Sequence, residues 1–232
     1  MNEIKDKQEA LEAVKKDGES LFYASKELRN NKEVVLAAVK KKGYSLKFAS
    51  EELKNDKEVV LEAVKQTGTA LYSASEELRN DKEVVLAAVK EYGYSLKYAS
   101  EELKNNKGVV LEAVKQNGRA LYYASKELKN DKEIVLGAVK EGGYALEYAS
   151  EELRGDKDIV LEAVKKDGFA LKYVNKELVE YKDILYMLKR FLAENKKDFF
   201  IEYELLIKYE REDKLIKNID GKEKSIKIRK KV

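Results

Sequence analysis

Apolar residues recur along this chain in two alternating stripes. From Asp81 onward, Val85, Ala88 and Val89 stand at i, i+3 and i+4, and Val84 and Leu86 widen the same face. That spacing predicts an amphipathic helix. Asn80 or Asp81 supplies its N-cap, and Glu83 falls in the first turn, where the helix dipole favours an anion. Gly93 follows the last periodic residue and predicts a left-handed C′ position. The second stripe, Leu96, Ala99 and Leu103 at i, i+3 and i+7, predicts a shorter helix. Ser100 either continues that helix or ends its regular part, leaving Glu101 to Leu103 as a tight turn.

The same pair of stripes returns every 25 residues. Gly18, Gly43, Gly68, Gly93, Gly118, Gly143 and Gly168 keep the step, as do Val14 through Val164 and Leu28 through Leu178. Seven copies run from Asp6 to Glu180 without an insertion. One short helical pair cannot bury its own apolar face, whereas stacked neighbours can. The expected fold class is therefore all-α: an α-solenoid of seven 25-residue helical repeats over residues 1–180.

After Glu180 the period breaks. Ile184, Leu185, Leu188, Phe191 and Leu192 predict a longer helix that closes the stack, and Phe199, Phe200, Tyr203, Leu206 and Ile207 predict another. Residues 181–232 thus read as a C-terminal helical cap with a basic tail from Lys214. The surplus of positive charge lies in this segment, because residues 1–180 hold more acids than bases.

The phrases DKEVVLAAVK, GYSLKYASEELKN and GRALYYASKELKNDKEIVL resemble the repeats of one family, the domain of unknown function four-one-one-six, found in bacteria, protists and large viruses. The resemblance spans the repeated region and implies an α-helical repeat fold. It implies no activity and carries over no catalytic residues. The last copy departs from it at Val174 and Asn175, where the others have Ala and Ser.

Composition narrows the chemistry. With no His and no Cys, a disulfide framework, a thiolate metal site and a His-based triad are excluded. The glycines of the period stand 25 residues apart and only Gly143 has a neighbouring glycine, Gly142, so no phosphate-cradling motif is present, and EF-hand spacing is absent. Carboxylates repeat as surface series rather than as one unlike pair. No catalytic, cofactor or metal residue is expected, and no small-molecule ligand. There is no long apolar run and no apolar leader, so neither a membrane span nor a secretory signal is expected; the expected compartment is cytoplasmic.

Three residue series carry the candidate binding chemistry. Lys15, Lys40, Lys65, Lys90, Lys115, Lys140 and Lys165 form a ladder that can track a phosphate backbone, or that complements helix C-termini and is neutralised by the Glu27 to Glu177 series. Tyr23, Phe48, Tyr98, Tyr123, Tyr148 and Tyr173, with Ser73 in the same position, lie beside the core stripe and read as packing residues between repeats or, alternatively, as stacked rings that hold bases. A third pattern alternates over two repeats. Tyr44, Tyr94 and Tyr144 follow Gly in the even copies, while Phe22, Tyr72 and Tyr122 occur in the odd ones. That alternation marks either a two-repeat unit with two surface types or a tandem duplication. Departures from the repeat occur at Thr67, Tyr92, Gly108, Arg119, Gly137 and Gly142.

Together these predict a non-catalytic protein-binding scaffold, with Tyr44, Tyr72, Tyr92, Tyr94, Arg119, Tyr122 and Tyr144 as partner-binding residues. Inhibition of a nucleic-acid enzyme is a narrower form of that reading. Direct nucleic-acid binding through the Lys ladder and basic tail is the alternative.

Overall fold

The computed structural model describes residues 3–175, and the expected cap and tail at 181–232 lie outside the described residues. Within them the chain is a stack of helical repeats. Seven ten-residue helices form its first layer: α1 (Lys7–Lys16), α2 (Lys32–Lys41), α3 (Lys57–Gln66), α4 (Lys82–Glu91), α5 (Lys107–Gln116), α6 (Lys132–Glu141) and α7 (Lys157–Lys166). Each packs against the helix one repeat before and one repeat after it. Asp or Asn caps every one of them. In α4 the cap is Asp81, whose carboxylate accepts from the Glu83 and Val84 amides, while Asn80 ends the preceding short helix.

The second stripe is not one helix. Gly93–Tyr98 is a 3-10 helix, the chain turns extended at Ala99 and Ser100, and Glu101–Lys104 is a single α-helical turn. The break follows from the serine. Ser100 Oγ accepts from the Leu103 amide at 3.2 Å, which caps the short turn and stops the 3-10 segment from continuing into it. Leu96 and Leu103 still reach the core, because both pieces face the long helices.

Gly93 is not a left-handed cap. α4 ends at Tyr92, whose backbone is extended, and Gly93 opens the 3-10 helix. The glycine answers to a close approach between repeats. A Cβ placed on Gly118 would stand 2.5 Å from the Ala138 carbonyl oxygen of the next long helix, far inside van der Waals contact. The same carbonyl position crowds the glycine in the repeats that begin with α1 to α6. The 25-residue glycine period thus records how tightly each 3-10 segment packs beneath the next helix.

The core lies between the layers. Val84, Val85, Ala88 and Val89 of α4 are fully buried, and their equivalents repeat down the stack with Leu21, Leu46, Leu71, Leu96, Leu121, Leu146 and Leu171 of the 3-10 segments. A polar ladder ties the third edge. Ser100 N donates to the Arg79 carbonyl of the previous repeat at 3.0 Å, and its hydroxyl donates to Asn80 Oδ1 at 2.5 Å. Asn80 Nδ2 then donates to Glu102 at 3.2 Å. The Glu27-type series is therefore engaged by asparagine amides in four repeats (at Glu52, Glu77, Glu102 and Glu152) rather than by the Lys ladder. At the start of the stack Ile4 takes the place of a preceding repeat, accepting from Ser25 N at 2.8 Å.

Among the described residues the first residue of a long helix, a lysine, bridges to the next helix in five of the repeats. Lys32 meets Asp56, the cap of α3, at 2.7 Å and Glu58 at 2.8 Å; Lys57 meets Asp81 and Glu83, and Lys107 meets Asp131 and Glu133. N-terminus thus lies beside N-terminus, so the helices run parallel with their dipoles aligned. Lysines between successive caps offset the repulsion that alignment causes. The bonded carboxylates raise the Lys32, Lys57, Lys107 and Lys132 pKa values. The ladder has one gap: Asn106 and Gly108 replace the two acids, and Lys82 has no acidic partner among the described residues.

Candidate partner-binding site

The 3-10 segments line one edge of the stack with aromatic rings. Phe48, Tyr98, Tyr123, Tyr148 and Tyr173 pack against the core, as their position beside the leucines predicts. The odd-repeat rings lean on them from outside. Phe22–Phe48, Tyr72–Tyr98 and Tyr122–Tyr148 are edge-to-face pairs with centroids 5.2, 5.3 and 5.4 Å apart. The two-repeat alternation is therefore a structural pairing, in which an outer ring of an odd repeat seats on the inner ring of the next even one. Tyr72 remains 69% exposed and Tyr122 56%.

The predicted residues separate into three places. Tyr44 lies in the second repeat and accepts a hydrogen bond from Thr69 Oγ1 at 2.6 Å. Tyr72 lines a shallow concavity of about 600 Å³ with Arg79, Lys97 and Tyr98. Tyr92, Tyr94, Arg119 and Tyr122 come together in a third place. They line one concavity of about 660 Å³ with Asn117, Tyr123, Glu147 and Tyr148, drawn from three successive repeats. Tyr144 joins it from behind, because the Arg119 guanidinium sits over its ring, 5.0 Å from the centroid.

Local sequence builds this concavity. Tyr92 caps the end of α4 and Tyr94 is the second residue of the following 3-10 helix, which places their rings 6.1 Å apart. Tyr94 meets Tyr123 edge-to-face at 4.8 Å, and Tyr123 meets Tyr122 at 4.9 Å. Asn117 Oδ1 accepts from the Arg119 amide at 3.0 Å, fixing the start of that segment. Gly142 has its own role, since a Cβ there would run into the Tyr144 ring. Three of the departures from the repeat, Tyr92, Arg119 and Gly142, thus serve one location. Thr67 and Gly108 do not.

Electrostatics distinguish the concavity from its surroundings. Burial pushes the Tyr123 hydroxyl far above the usual tyrosine range, and the Tyr94 hydroxyl adds to it. Tyr148 is raised by burial and by Glu147, with Arg119 opposing. These rings therefore stay protonated donors at any ordinary pH. Burial lowers Lys129, which lies over the Tyr122 ring at 5.5 Å. Glu147, missed by the sequence reading, makes no hydrogen bond or ion pair among the described residues. Its signal was present: Lys47, Lys97 and Lys172 hold the equivalent position in the other even repeat pair and the last repeat.

A second face lies across the long helices. Leu36, Leu61, Leu86, Leu111, Leu136 and Leu161 are only half-buried there. Shallow grooves open between α3 and α4, about 480 Å³ beside Ala87, and between α5 and α6, about 620 Å³ beside Gly137. The ladder lysines Lys65, Lys90, Lys115 and Lys140 border these grooves. None of the seven ladder lysines forms an ion pair among the described residues. Among the described residues no group of His, Cys, Asp and Glu is placed to hold a metal ion, and no helix is long and apolar enough to cross a membrane.

No curated protein and no solved structure matches the chain. A family model described as a domain of unknown function (DUF4116) matches residues 6–54, 31–79, 56–104, 81–129, 106–154 and 131–179, six overlapping tandem units that tile the repeats, and the chain belongs to that family.

Proposed function

We propose that this chain is a non-catalytic scaffold that binds a protein partner through the aromatic concavity spanning the fourth to sixth repeats. One observation carries the reading: Tyr92, Tyr94, Arg119 and Tyr122 line a single concavity although they come from separate repeats. Tyr and Arg dominate the anchors of protein interfaces, because they offer large contact area and polar tips at low conformational cost. Stacked repeats hold such anchors on a rigid backbone, so little ordering is needed on binding.

The test is retention of a partner from host lysate by wild-type chain and by a Tyr92→Ala, Tyr122→Ala variant, after nuclease treatment and at two salt concentrations. Both rings are about half exposed and lie outside the core, so the variant is expected to keep its fold, with a melting temperature within a few degrees of wild type. The expected result is a protein that survives nuclease and high salt with wild type and is lost with the variant. Equal retention by both proteins contradicts the reading. A nucleic-acid enzyme as the retained protein would make the scaffold an inhibitor.

The unpaired Lys ladder favours a second reading, binding of nucleic acid along the α1–α7 face. It predicts a mobility shift with RNA or DNA that weakens steeply with salt, and absence of any shift at low salt removes it. Glu83, Glu91, Glu133 and Glu141 on the same grooves weigh against it.

A further inference from the structure

In three repeats the aromatic edge carries its own cation. Lys47 lies over the Phe48 ring at 4.6 Å, Lys97 over Tyr98 at 5.6 Å and Lys172 over Tyr173 at 4.5 Å. Each lysine directly precedes its ring, and the ring quadrupole attracts it. The sixth repeat has the same ring, Tyr148, and the same backbone, but Glu147 stands where the lysine would be. Among the described residues no cation lies over Tyr148. The substitution removes the internal cation and adds a carboxylate beside the ring.

The charge partner has changed sign as well. In the first two repeats Glu19 pairs with Lys42 at 3.0 Å and with Lys47 at 3.8 Å. One hundred residues on, the equivalents of Glu19 and Lys47 are Arg119 and Glu147, and Gly142 stands where Lys42 does. Arg119 and Glu147 do not pair. Arg119 turns onto the Tyr144 ring, 5.0 Å from its centroid, while its charge still reaches Tyr148, and Glu147 lines the concavity without an ion pair among the described residues. Tyr94, Tyr122 and Tyr148 supply aromatic walls around it.

We propose that Glu147 and the surrounding tyrosines receive a basic side chain, Arg or Lys, from the protein partner. The incoming cation takes the place that Lys97 holds over Tyr98, and the Glu147 carboxylate bonds it. The inference rests on the reading of this concavity as the protein-binding site, and it names what that site recognises.

The test uses the full chain with its tyrosine rings isotope-labelled, titrated at fixed ionic strength with N-acetyl-arginine-amide, N-acetyl-glutamate-amide and N-acetyl-tyrosine-amide. The arginine probe is expected to shift Tyr94, Tyr122 and Tyr148 saturably, and the glutamate probe to leave them unmoved. Glu147→Lys restores the residue of the second and fourth repeats, so it folds, and it is expected to weaken the arginine probe about ten-fold or more. Saturable shifts from the glutamate or tyrosine probe alone would overturn the basic occupant and leave the concavity a peptide site. An arginine response undiminished in Glu147→Lys would also overturn it. If no probe moves these rings, the occupant falls together with the binding reading beneath it.

Discussion

The first two repeats and the fifth and sixth share the long helices and the six-residue 3-10 segments, and among their charge differences two, at Glu19/Arg119 and Lys47/Glu147, fall on the aromatic edge. At one end Glu19 pairs with Lys42 at 3.0 Å and with Lys47 at 3.8 Å, and Lys47 covers its neighbouring ring. Further along, Arg119 and Glu147 occupy the same positions with reversed signs, stay apart, and border a concavity rich in tyrosine. The backbone hydrogen bonds, the buried valines and the interrepeat carbonyl contacts are common to both regions. Stability is therefore written in positions that repeat, and the proposed binding chemistry in positions that depart.

That division can be broken at its strong side first. Gly118→Ala pushes a Cβ against a backbone carbonyl that cannot rotate away, and it should cost about 1–3 kcal/mol in urea unfolding. Gly108 is the opposite case, because a Cβ there meets only Asn106 Oδ1 at ordinary contact distance. Gly108→Glu restores the residue that pairs with the preceding lysine in other repeats, and Lys82 is available to it. It should raise stability by up to about 1 kcal/mol, from better helix propensity and a new exposed pair. Equal effects at the two glycines would show that the interrepeat contact does not set the period.

The ion-pair ladder gives a smaller, pH-dependent contrast. The Lys107 bond outweighs burial and holds Asp131 below the usual carboxylate range. In Asp56, Asp81 and Asp156 burial acts upward, but lysine and amide bonds prevail and the net direction is down. A carboxylate with a depressed folded pKa stabilises above its unfolded value and loses that contribution as pH falls through the folded one. Melting temperature should therefore begin to drop below about pH 4. The raised lysines work in the other direction: their contribution is complete below 10.5 and is lost as pH climbs through their folded values. With no His, the melting temperature should stay flat between about pH 5 and 9. Each pair is exposed and screened by solvent, so thermal melts across the series show a shallow dome.

Much of the fold was legible because the repeat multiplies each local signal. The Asx caps, the buried valines and leucines and the serial stacking all follow from residues such as Asp81, Val85 and Leu96. The glycine was read as a conformational cap because its position after α4 fits one; its true cause, the Ala113 carbonyl facing Gly93, belongs to a neighbouring repeat and has no local sign. The split of the second stripe at Ser100 was also hidden, since Leu96, Ala99 and Leu103 keep helical spacing through the break. Of the site, Tyr92, Tyr94, Arg119 and Tyr122 were found as departures or alternations. Tyr44 and Tyr72 lie elsewhere, and Glu147 escaped notice because a carboxylate among so many charges is inconspicuous until its equivalents are seen to cap rings.

The central claim is that two charges turn a self-satisfied edge into a binding edge. Its most direct test is the Arg119→Glu, Glu147→Lys double variant, which writes the first repeats' pair into the fifth and sixth. Partner retention and melting temperature should be measured on the same preparation. The account predicts that retention is lost while the melting temperature stays within a few degrees of wild type. Retention at the wild-type level by a folded double variant would contradict it.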